Sequence, residues 1–125
     1  MTALKQLASI GFEPITEWLL KGDTIGPASF DWQDHGGWLY VFVVGGEARY
    51  IGLTNRVLRS RLSDYAHIKN SQTTRLRASI VGELRAGRSV AIYGRKESKK
   101  EILEAEEARL RGLLRLPWNR VERIS

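Results

Sequence analysis

The chain contains no cysteine, only two histidines and no long apolar segment. The absence of cysteine excludes disulfides, a thiolate nucleophile and cysteine-ligated zinc. His35 and His67 alone are too few for a structural zinc site. Stability must therefore come from a packed core, and any chemistry must come from other side chains.

No apolar run in the chain approaches the roughly 20 residues that a helix needs to cross a bilayer. The first residues, "MTALKQLASIGF", lack the basic start and long apolar core of a secretory signal. We therefore expect a cytoplasmic protein that does not associate with a membrane.

The net charge of +6 is unevenly distributed along the chain. Residues 1–37 carry two basic and five acidic side chains, a net charge of −3. Residues 49–88 carry nine basic and two acidic side chains, a net charge of +7. Such a basic region attracts polyanions, of which nucleic-acid backbones are common examples. A solvated basic surface explains the charge equally well.

Apolar, β-branched and aromatic runs predict three strands, at 38–44, 48–54 and 89–94. The turn formers "GGE" between the first two predict an antiparallel hairpin. Apolar residues at helical spacing predict helices near 57–68, 71–87 and 97–116. We expect the α/β class, with a small antiparallel or mixed three-stranded sheet flanked by helices.

The same pattern divides the chain into three parts. Residues 1–37 are predicted to form a helical and loop extension, with "KGDTIGPASFDWQDHGG" as loop. Residues 38–120 form the main domain, and residues 121–125 form a tail. The charge of the N-terminal extension argues against contact with DNA. We expect it to cap the core or to mediate homo-oligomerisation.

Two charged residues fall within apolar helical stripes. Arg61 shares a predicted helix face with Leu58, Leu62 and Tyr65. Glu107 falls in the row of Leu103, Leu110 and Leu114. On the same helix, Glu104 and Glu106 are expected to point toward solvent. A charge on a buried face needs a partner or a site, so Arg61 and Glu107 form either a buried ion pair or part of a cleft.

Tyr40 and Tyr50 lie on the two strands of the predicted hairpin. They are either core aromatics or partners of Arg61 and Glu107 in a site. Arginine can bind a phosphate with two hydrogen bonds, and a carboxylate can hold a hard divalent cation. A tyrosine hydroxyl can relay a proton. These are the groups that a phosphodiester hydrolase needs.

Four segments in order resemble the GIY-YIG nuclease family. Residues 38–40, "WLY", correspond to its Gly-Ile-Tyr motif, and residues 50–52 carry an intact "YIG". Residues 58–65, "LRSRLSDY", match its Leu-x-x-Arg-Leu-x-x-Tyr helix. Residues 107–119, "EARLRGLLRLPWN", match its late glutamate helix with a Pro-and-Asn ending. The resemblance spans 38–119.

The resemblance implies a DNA endonuclease that uses one Mg²⁺ or Mn²⁺ ion. It implies that Tyr40 or Tyr50 helps to deprotonate the attacking water, that Arg61 contacts the scissile phosphate, and that Glu107 holds the metal. The implied catalytic residues are Tyr40, Tyr50, Arg61, Tyr65 and Glu107. The residues expected to contact nucleic acid are Arg56, Arg59, His67, Lys69, Arg75 and Asn119.

The chain departs from the family pattern at two positions. Trp38 replaces the first glycine of Gly-Ile-Tyr, and Leu53 replaces a lysine that is common after Tyr-Ile-Gly. Arg56 is a candidate replacement for that lysine. These departures support a second hypothesis, a weak or inactive nucleic-acid-binding module on the same fold. A third hypothesis is a structural protein without affinity for DNA.

Three further alternatives concern single residues. Arg59 competes with Arg61, but it lies outside the Leu-x-x-Arg register. Glu104 competes with Glu107, but helical phase disfavours it. Because some related nucleases use a histidine base, His67 is a candidate base, although a surface or phosphate-contact role is favoured.

Overall fold

A computed structural model describes residues 3–30 and 36–119 of the chain. The strands in these residues are β1 (Glu13–Lys21), β2 (Thr24–Pro27), β3 (Trp38–Val44), β4 (Glu47–Thr54) and β5 (Val90–Lys96). The helices are α1 (Ala3–Ser9), α2 (Leu58–His67), α3 (Ser71–Arg85) and α4 (Lys100–Leu113). None of these helices is long and apolar enough to span a membrane.

The strands form one antiparallel sheet in the order β2-β1-β5-β3-β4. The predicted three-stranded sheet is therefore wrong, although the α/β class holds. The two additional strands come from the N-terminal segment, where Thr24–Pro27 had been assigned to a loop. Strands β1 and β2 pair as a hairpin around residues 22 and 23, within a segment that had been assigned to a loop. Strand β1 joins the rest of the sheet through β5, which lies far along the chain. Self-association through 1–37 stays a prediction, and the tail at 121–125 lies outside the described residues.

The predicted hairpin is confirmed, with β3 and β4 paired antiparallel around Gly45 and Gly46. Both glycines have positive φ, 57° and 78°, the backbone that a two-residue hairpin turn of the I′ type requires. The register shifts between Phe42 and Val43, where Arg49 is the additional residue of a bulge. Every residue of β3 is buried, so this strand has covered surfaces on both sides.

The sheet has two differently built faces. The tyrosine face is covered by α2 and α3 and includes Trp18, Tyr40, Phe42, Tyr50, Leu62, Tyr65 and Leu76. The aliphatic face is covered by α1 and α4 and includes Leu7, Leu39, Val41, Ile51, Leu103 and Leu110. Because side chains alternate along a strand, β3 and β4 supply both sets. This division places all three site tyrosines together.

Helix α4 packs its apolar stripe onto the aliphatic face through Leu103 and Leu110, as their spacing predicted. The solvent position predicted for Glu106 is wrong. Its carboxylate accepts from Arg95 on β5 at 3.1 Å and from Arg109 at 2.8 Å. The paired arginines lower the pKa of Glu106 to about 2, with the Arg109 hydrogen bond as the largest cause. Glu106 therefore links α4 to the sheet.

Candidate active site

Three buried tyrosines form a hydrogen-bonded chain that starts at Arg61. Arg61 Nε donates to Tyr40 Oη at 3.0 Å, and Tyr40 Oη lies 2.6 Å from Tyr65 Oη. Tyr65 Oη in turn donates to Tyr50 Oη at 3.4 Å. We call these four residues the tyrosine chain. The predicted site residues of β3, β4 and α2 thus share one network.

Gly52 allows the tyrosine chain to form. It lies opposite Tyr40 in the β3–β4 register, and a Cβ there would lie 2.5 Å from Tyr40 Cζ and Oη. Contacts this short do not occur in folded proteins, so any side chain at this position would displace the Tyr40 hydroxyl. The glycine of "YIG" is therefore required by the tyrosine of "WLY".

Burial controls the protonation of two tyrosines. It raises the pKa of Tyr40, which has no exposed surface, and the nearby Tyr50 raises it further. Burial also raises the pKa of Tyr65, with Tyr40 as the next cause. Both hydroxyls are therefore neutral at physiological pH and act as hydrogen-bonding groups. Tyr40, one of the two tyrosines expected to act on the attacking water, is therefore held in its protonated form.

Arg61 is held on the tyrosine face by several contacts. Its Nη1 pairs with Asp64 Oδ2 at 3.3 Å, and its guanidinium lies 4.8 Å from the centre of the Tyr65 ring. Partial burial acts to lower the pKa of Arg61, but the Tyr40 and Tyr65 oxygens outweigh it, so the pKa is raised. Arg61 remains a cation, and its five N–H donors exceed the two contacts to Tyr40 and Asp64.

A cleft of about 350 Å³ lies along the edge of the sheet beside β4. We call it the edge cleft, and its lining residues are Tyr50, Ile51, Gln72, Arg75, Glu107, Arg111 and Asn119. It therefore joins the end of the tyrosine chain to the predicted metal ligand, although Tyr50 and Glu107 come from opposite sides of the sheet. Arg75 and Asn119, predicted to contact nucleic acid, line the same cleft.

Glu107 is half-buried in the edge cleft, and its Oε1 lies 3.6 Å from Arg111 Nη1. Glu104 is more exposed, with 58% of its side chain accessible, and it pairs with Lys100 on the helix surface. Helical phase therefore distinguishes the two glutamates in the direction expected from the sequence.

The residues after α4 dock on the edge of β4. The Asn119 side chain accepts from Ile51 N and donates to Ile51 O, both at 2.9 Å. Trp118 N donates to Arg49 O at 2.8 Å, and Arg75 Nη1 donates to Trp118 O at 2.7 Å. Asn119 therefore pairs with the backbone next to Tyr50 as a neighbouring strand would, and it holds that edge in place.

Four of the predicted nucleic-acid contacts lie away from the edge cleft. Arg59 and His67 line a second cleft of about 570 Å³ between α2 and β2, where Arg59 lies over the Phe30 ring at 5.4 Å. Arg56 is exposed and pairs with Asp64, the partner of Arg61. Lys69 is exposed between α2 and α3. His67 is exposed, and its Nδ1 lies 3.4 Å from Ser63 O, which agrees with a surface role.

Three side chains at the candidate site were not predicted from the sequence: Asp64, Gln72 and Arg111. Asp64 and Arg111 stand three and four residues from Arg61 and Glu107, spacings that place side chains on one helix face. The helical spacing could therefore have identified Asp64 and Arg111 from the sequence. Gln72 had no such signal, because a polar residue in the first turn of a helix resembles any surface position.

The described residues hold no group of three or more histidine or acidic side chains that could enclose a metal ion. In the edge cleft the available ligands are oxygen atoms, with one carboxylate from Glu107. This donor set suits a hard cation such as Mg²⁺, which commonly uses one or two carboxylates and completes its shell with water and phosphate oxygens.

Comparison with known proteins shows the fold. No protein-family model and no curated protein matches the sequence. The structure is similar to that of a glutamate-to-alanine mutant of bacteriophage T4 EndoII, with a TM-score of 0.75 and 21% identity, over 96% of this chain and 100% of that chain. It is also similar to restriction endonuclease Hpy188I in complex with product DNA, with a TM-score of 0.58 and 17% identity, over 90% of this chain and 79% of that chain.

Proposed function

We propose that this chain is a DNA endonuclease that hydrolyses phosphodiester bonds at the edge cleft with one Mg²⁺ or Mn²⁺ ion. The observation that carries the proposal is the meeting of Tyr50 and Glu107 in this cleft. Its support from outside the chain is the fold shared with EndoII and Hpy188I. The GIY-YIG resemblance of residues 38–119 supports the same reaction.

In this proposal, Glu107 holds the metal ion, which polarises the phosphoryl or leaving-group oxygen when bound. Glu107 is the carboxylate that lines the edge cleft, and its oxygen chemistry fits a hard cation. Arg111 is close enough to orient the carboxylate and to neutralise it when the metal is absent.

Arg61, which is linked to the edge cleft through the tyrosine chain, binds the phosphate. Its Nε and Nη1 are used by Tyr40 and Asp64, which orient the guanidinium plane. The remaining donors suit phosphate oxygens, where a fixed arginine stabilises the charge that develops in the transition state. Tyr40 and Tyr65, neutral and buried, fix this orientation.

Tyr50 is the group that acts on the attacking water. Its hydroxyl ends the tyrosine chain and its side chain lines the edge cleft, whereas Tyr40 is fully buried. A base must reach the proton it removes, so position favours Tyr50. Arg75 adds positive charge at the cleft, and its Nε is a buried donor without a partner among residues 3–30 and 36–119.

A weak or inactive nucleic-acid-binding module remains the second candidate because of Leu53. This side chain is partly buried against the aliphatic face, so it offers no cation where a lysine is common. Trp38 is buried, and Lys96 Nζ lies 5.9 Å from the centre of its ring, which gives Trp38 a packing role. Both candidates predict DNA binding that weakens with salt, but only the first predicts cleavage.

A cleavage assay separates the two candidates. Purified protein is incubated with plain, branched and damaged duplex DNA, with Mg²⁺, with Mn²⁺ and with chelator. The matched variants are Glu107→Gln and Glu104→Gln, which make the same change one helical turn apart. We expect metal-dependent cleavage by wild type and Glu104→Gln and none by Glu107→Gln. Equal cleavage by both variants, or none by wild type on every substrate, contradicts the proposal.

A further inference from the structure

The direction of the hydrogen bonds in the tyrosine chain follows from the bonds at its two ends. Arginine only donates, so Tyr40 accepts from Arg61 Nε. Tyr65 gives its single proton to Tyr50, so the bond between Tyr40 and Tyr65 has Tyr40 as donor. The chain therefore runs from Arg61 to Tyr50, where the oxygen accepts and its own proton is not used by the chain.

A second donor reaches the same oxygen from α3. Gln72 Nε2 lies 3.1 Å from Tyr50 Oη. A phenol oxygen has two lone pairs, and the donors from Tyr65 and Gln72 account for both. The remaining direction around the oxygen belongs to the Tyr50 proton. Gln72 and Tyr50 both line the edge cleft, which also contains Glu107.

The position of Gln72 is set by the start of α3. Asn70 caps this helix, because its side chain accepts from Thr73 N at 2.9 Å while Thr73 Oγ1 accepts from Asn70 N at 3.3 Å. Thr73 Oγ1 also donates to Ile68 O at 2.7 Å, which ties the helix start to the end of α2. Gln72 lies inside this closed turn, so its backbone is held.

We propose that Gln72 is a positioning residue for Tyr50: together with Tyr65 it supplies the donors to the Tyr50 oxygen and directs that oxygen's remaining site into the edge cleft. The role rests on the proposed nuclease function. In the neutral phenol the remaining site carries the proton. In the phenolate it carries a lone pair, which faces the attacking water while the two donors stabilise the negative charge.

The opposite amide orientation gives a different outcome, which makes the proposal testable. If the Gln72 carbonyl faced Tyr50, the tyrosine would donate its proton to Gln72, and that proton would not face the attacking water. A Gln72→Glu variant imposes that acceptor with nearly the same shape. A Gln72→Met variant removes the donor and keeps the size. Gln6→Met makes the same change on α1, away from the tyrosine face.

The experiment measures single-turnover cleavage by these variants from about pH 6 to about pH 10, across the range where tyrosine begins to ionise. We expect Gln72→Met to cut about tenfold more slowly, as for the loss of one hydrogen bond to a reacting group. The rate should also rise at higher pH than in wild type. Gln72→Glu should cut about a hundredfold more slowly, since its charge also opposes the phenolate. Gln72→Met should leave DNA affinity and melting temperature unchanged, and Gln6→Met should cut at the wild-type rate.

A second readout does not depend on cleavage. The ultraviolet absorbance of ionised Tyr50, obtained as the difference between wild type and Tyr50→Phe, should appear at higher pH in Gln72→Met. If wild type cuts DNA and Gln72→Met matches it in rate, pH profile and absorbance, the role of Gln72 is overturned while the nuclease function stands. Full activity of Gln72→Glu also overturns it. If wild type cuts nothing, the proposed function fails, and the absorbance alone decides whether Gln72 donates to Tyr50.

Discussion

The two faces of the β3–β4 hairpin carry different chemistry although their side chains alternate along the same strands. Tyr40 and Tyr50 point to the face covered by α2 and α3, whereas Leu39 and Ile51 point to the face covered by α1 and α4. The first face buries hydroxyls and a guanidinium in one hydrogen-bonded chain. The second buries aliphatic side chains. Alternation along the strands separates a polar, hydrogen-bonded layer from an aliphatic one.

The buried tyrosine hydroxyls are tolerated because they are hydrogen-bonded. Each tyrosine hydroxyl of the tyrosine face has a partner, from Arg61 through Tyr40 and Tyr65 to Tyr50. Burial without such partners would cost free energy at each group. On the aliphatic face, the ion pair of Glu106 with Arg95 lies at the margin, where both side chains remain about one-fifth exposed.

Glu107 links the two faces of the sheet. It belongs to α4, which packs on the aliphatic face, yet it lines the same edge cleft as Tyr50. This is possible because β4 is the edge strand of the sheet, so residues of α3 and of α4 line the same cleft beside it. The candidate site therefore lies where the two faces meet, and variants on each face should affect different properties.

The largest expected effect is the loss of Arg61 from the tyrosine face. Arg61→Leu should slow DNA cleavage about a thousandfold, the upper range for removal of a donor that stabilises a transition state. Arg59→Leu, two residues away on the same helix, should mainly weaken DNA binding. Single-turnover rates and salt-dependent affinities measure the two effects. Similar losses of rate in both variants would show that the register assigned to Arg61 is wrong.

The next effect concerns stability and the aliphatic face. Leu103 has no exposed surface, so Leu103→Ala should lower the free energy of unfolding by about 3 kcal/mol through lost burial and a cavity. Urea unfolding followed by tryptophan fluorescence measures it. Cleavage per folded molecule should remain near wild type. A selective loss of activity with unchanged stability would contradict the separation of the two faces.

A smaller change joins stability and chemistry on the tyrosine face. Gly52→Ala should lower the free energy of unfolding by about 2 kcal/mol, because the added methyl group overlaps the end of Tyr40. It should also reduce cleavage, since the Tyr40 hydroxyl must move. Gly82→Ala is the control: its Cβ meets nothing within 4 Å on α3, and it should raise stability by about 0.5–1 kcal/mol. Equal stability of the two alanine variants would contradict the overlap with Tyr40 as the reason for glycine at position 52.

The smallest effect is a pH dependence on the aliphatic face. The pKa of Glu106 is lowered to about 2, so its contribution is present above the ordinary glutamate value of 4.5 and is lost as pH falls toward 2. Glu106→Gln should therefore be less stable than wild type at neutral pH, by less than about 1 kcal/mol. The two melting temperatures should converge as acid is added. A constant difference across this range would contradict a contribution from the ionised carboxylate.

Local patterns predicted the parts of the site that depend on neighbouring residues. The glycine turn and the alternation of Tyr40 with Leu39 identified the hairpin and its faces. Helical phase distinguished Glu107 from Glu104 and Arg61 from Arg59. The hairpin and the relative burial of these side chains are confirmed, because period and turn geometry are properties of short segments, while the roles of Arg61 and Glu107 stay predictions.

Other features depend on contacts that no short segment encodes. Strand β1 was missed because it is mostly exposed, with Trp18 as its one buried residue, and because it joins the sheet through distant β5. Strand β2 is an edge strand that pairs only with β1. Glu106 was predicted to face solvent, and this was wrong because Arg95, which pairs with it, comes from a different element of the fold. Gln72 was not predicted because it lies on α3, whereas its partner Tyr50 lies on strand β4.

The most direct test of the account is the position of a metal ion and a phosphate in a crystal. Crystals of the protein with a short DNA duplex and Mn²⁺ would show the metal by its anomalous scattering. We predict that the metal binds the Glu107 carboxylate in the edge cleft, with a DNA phosphate between it and the Arg61 guanidinium and with Tyr50 facing that phosphate. Mn²⁺ bound away from Glu107, or DNA seated in the cleft of Arg59 and His67 with the edge cleft empty, would contradict the assignment of the active site.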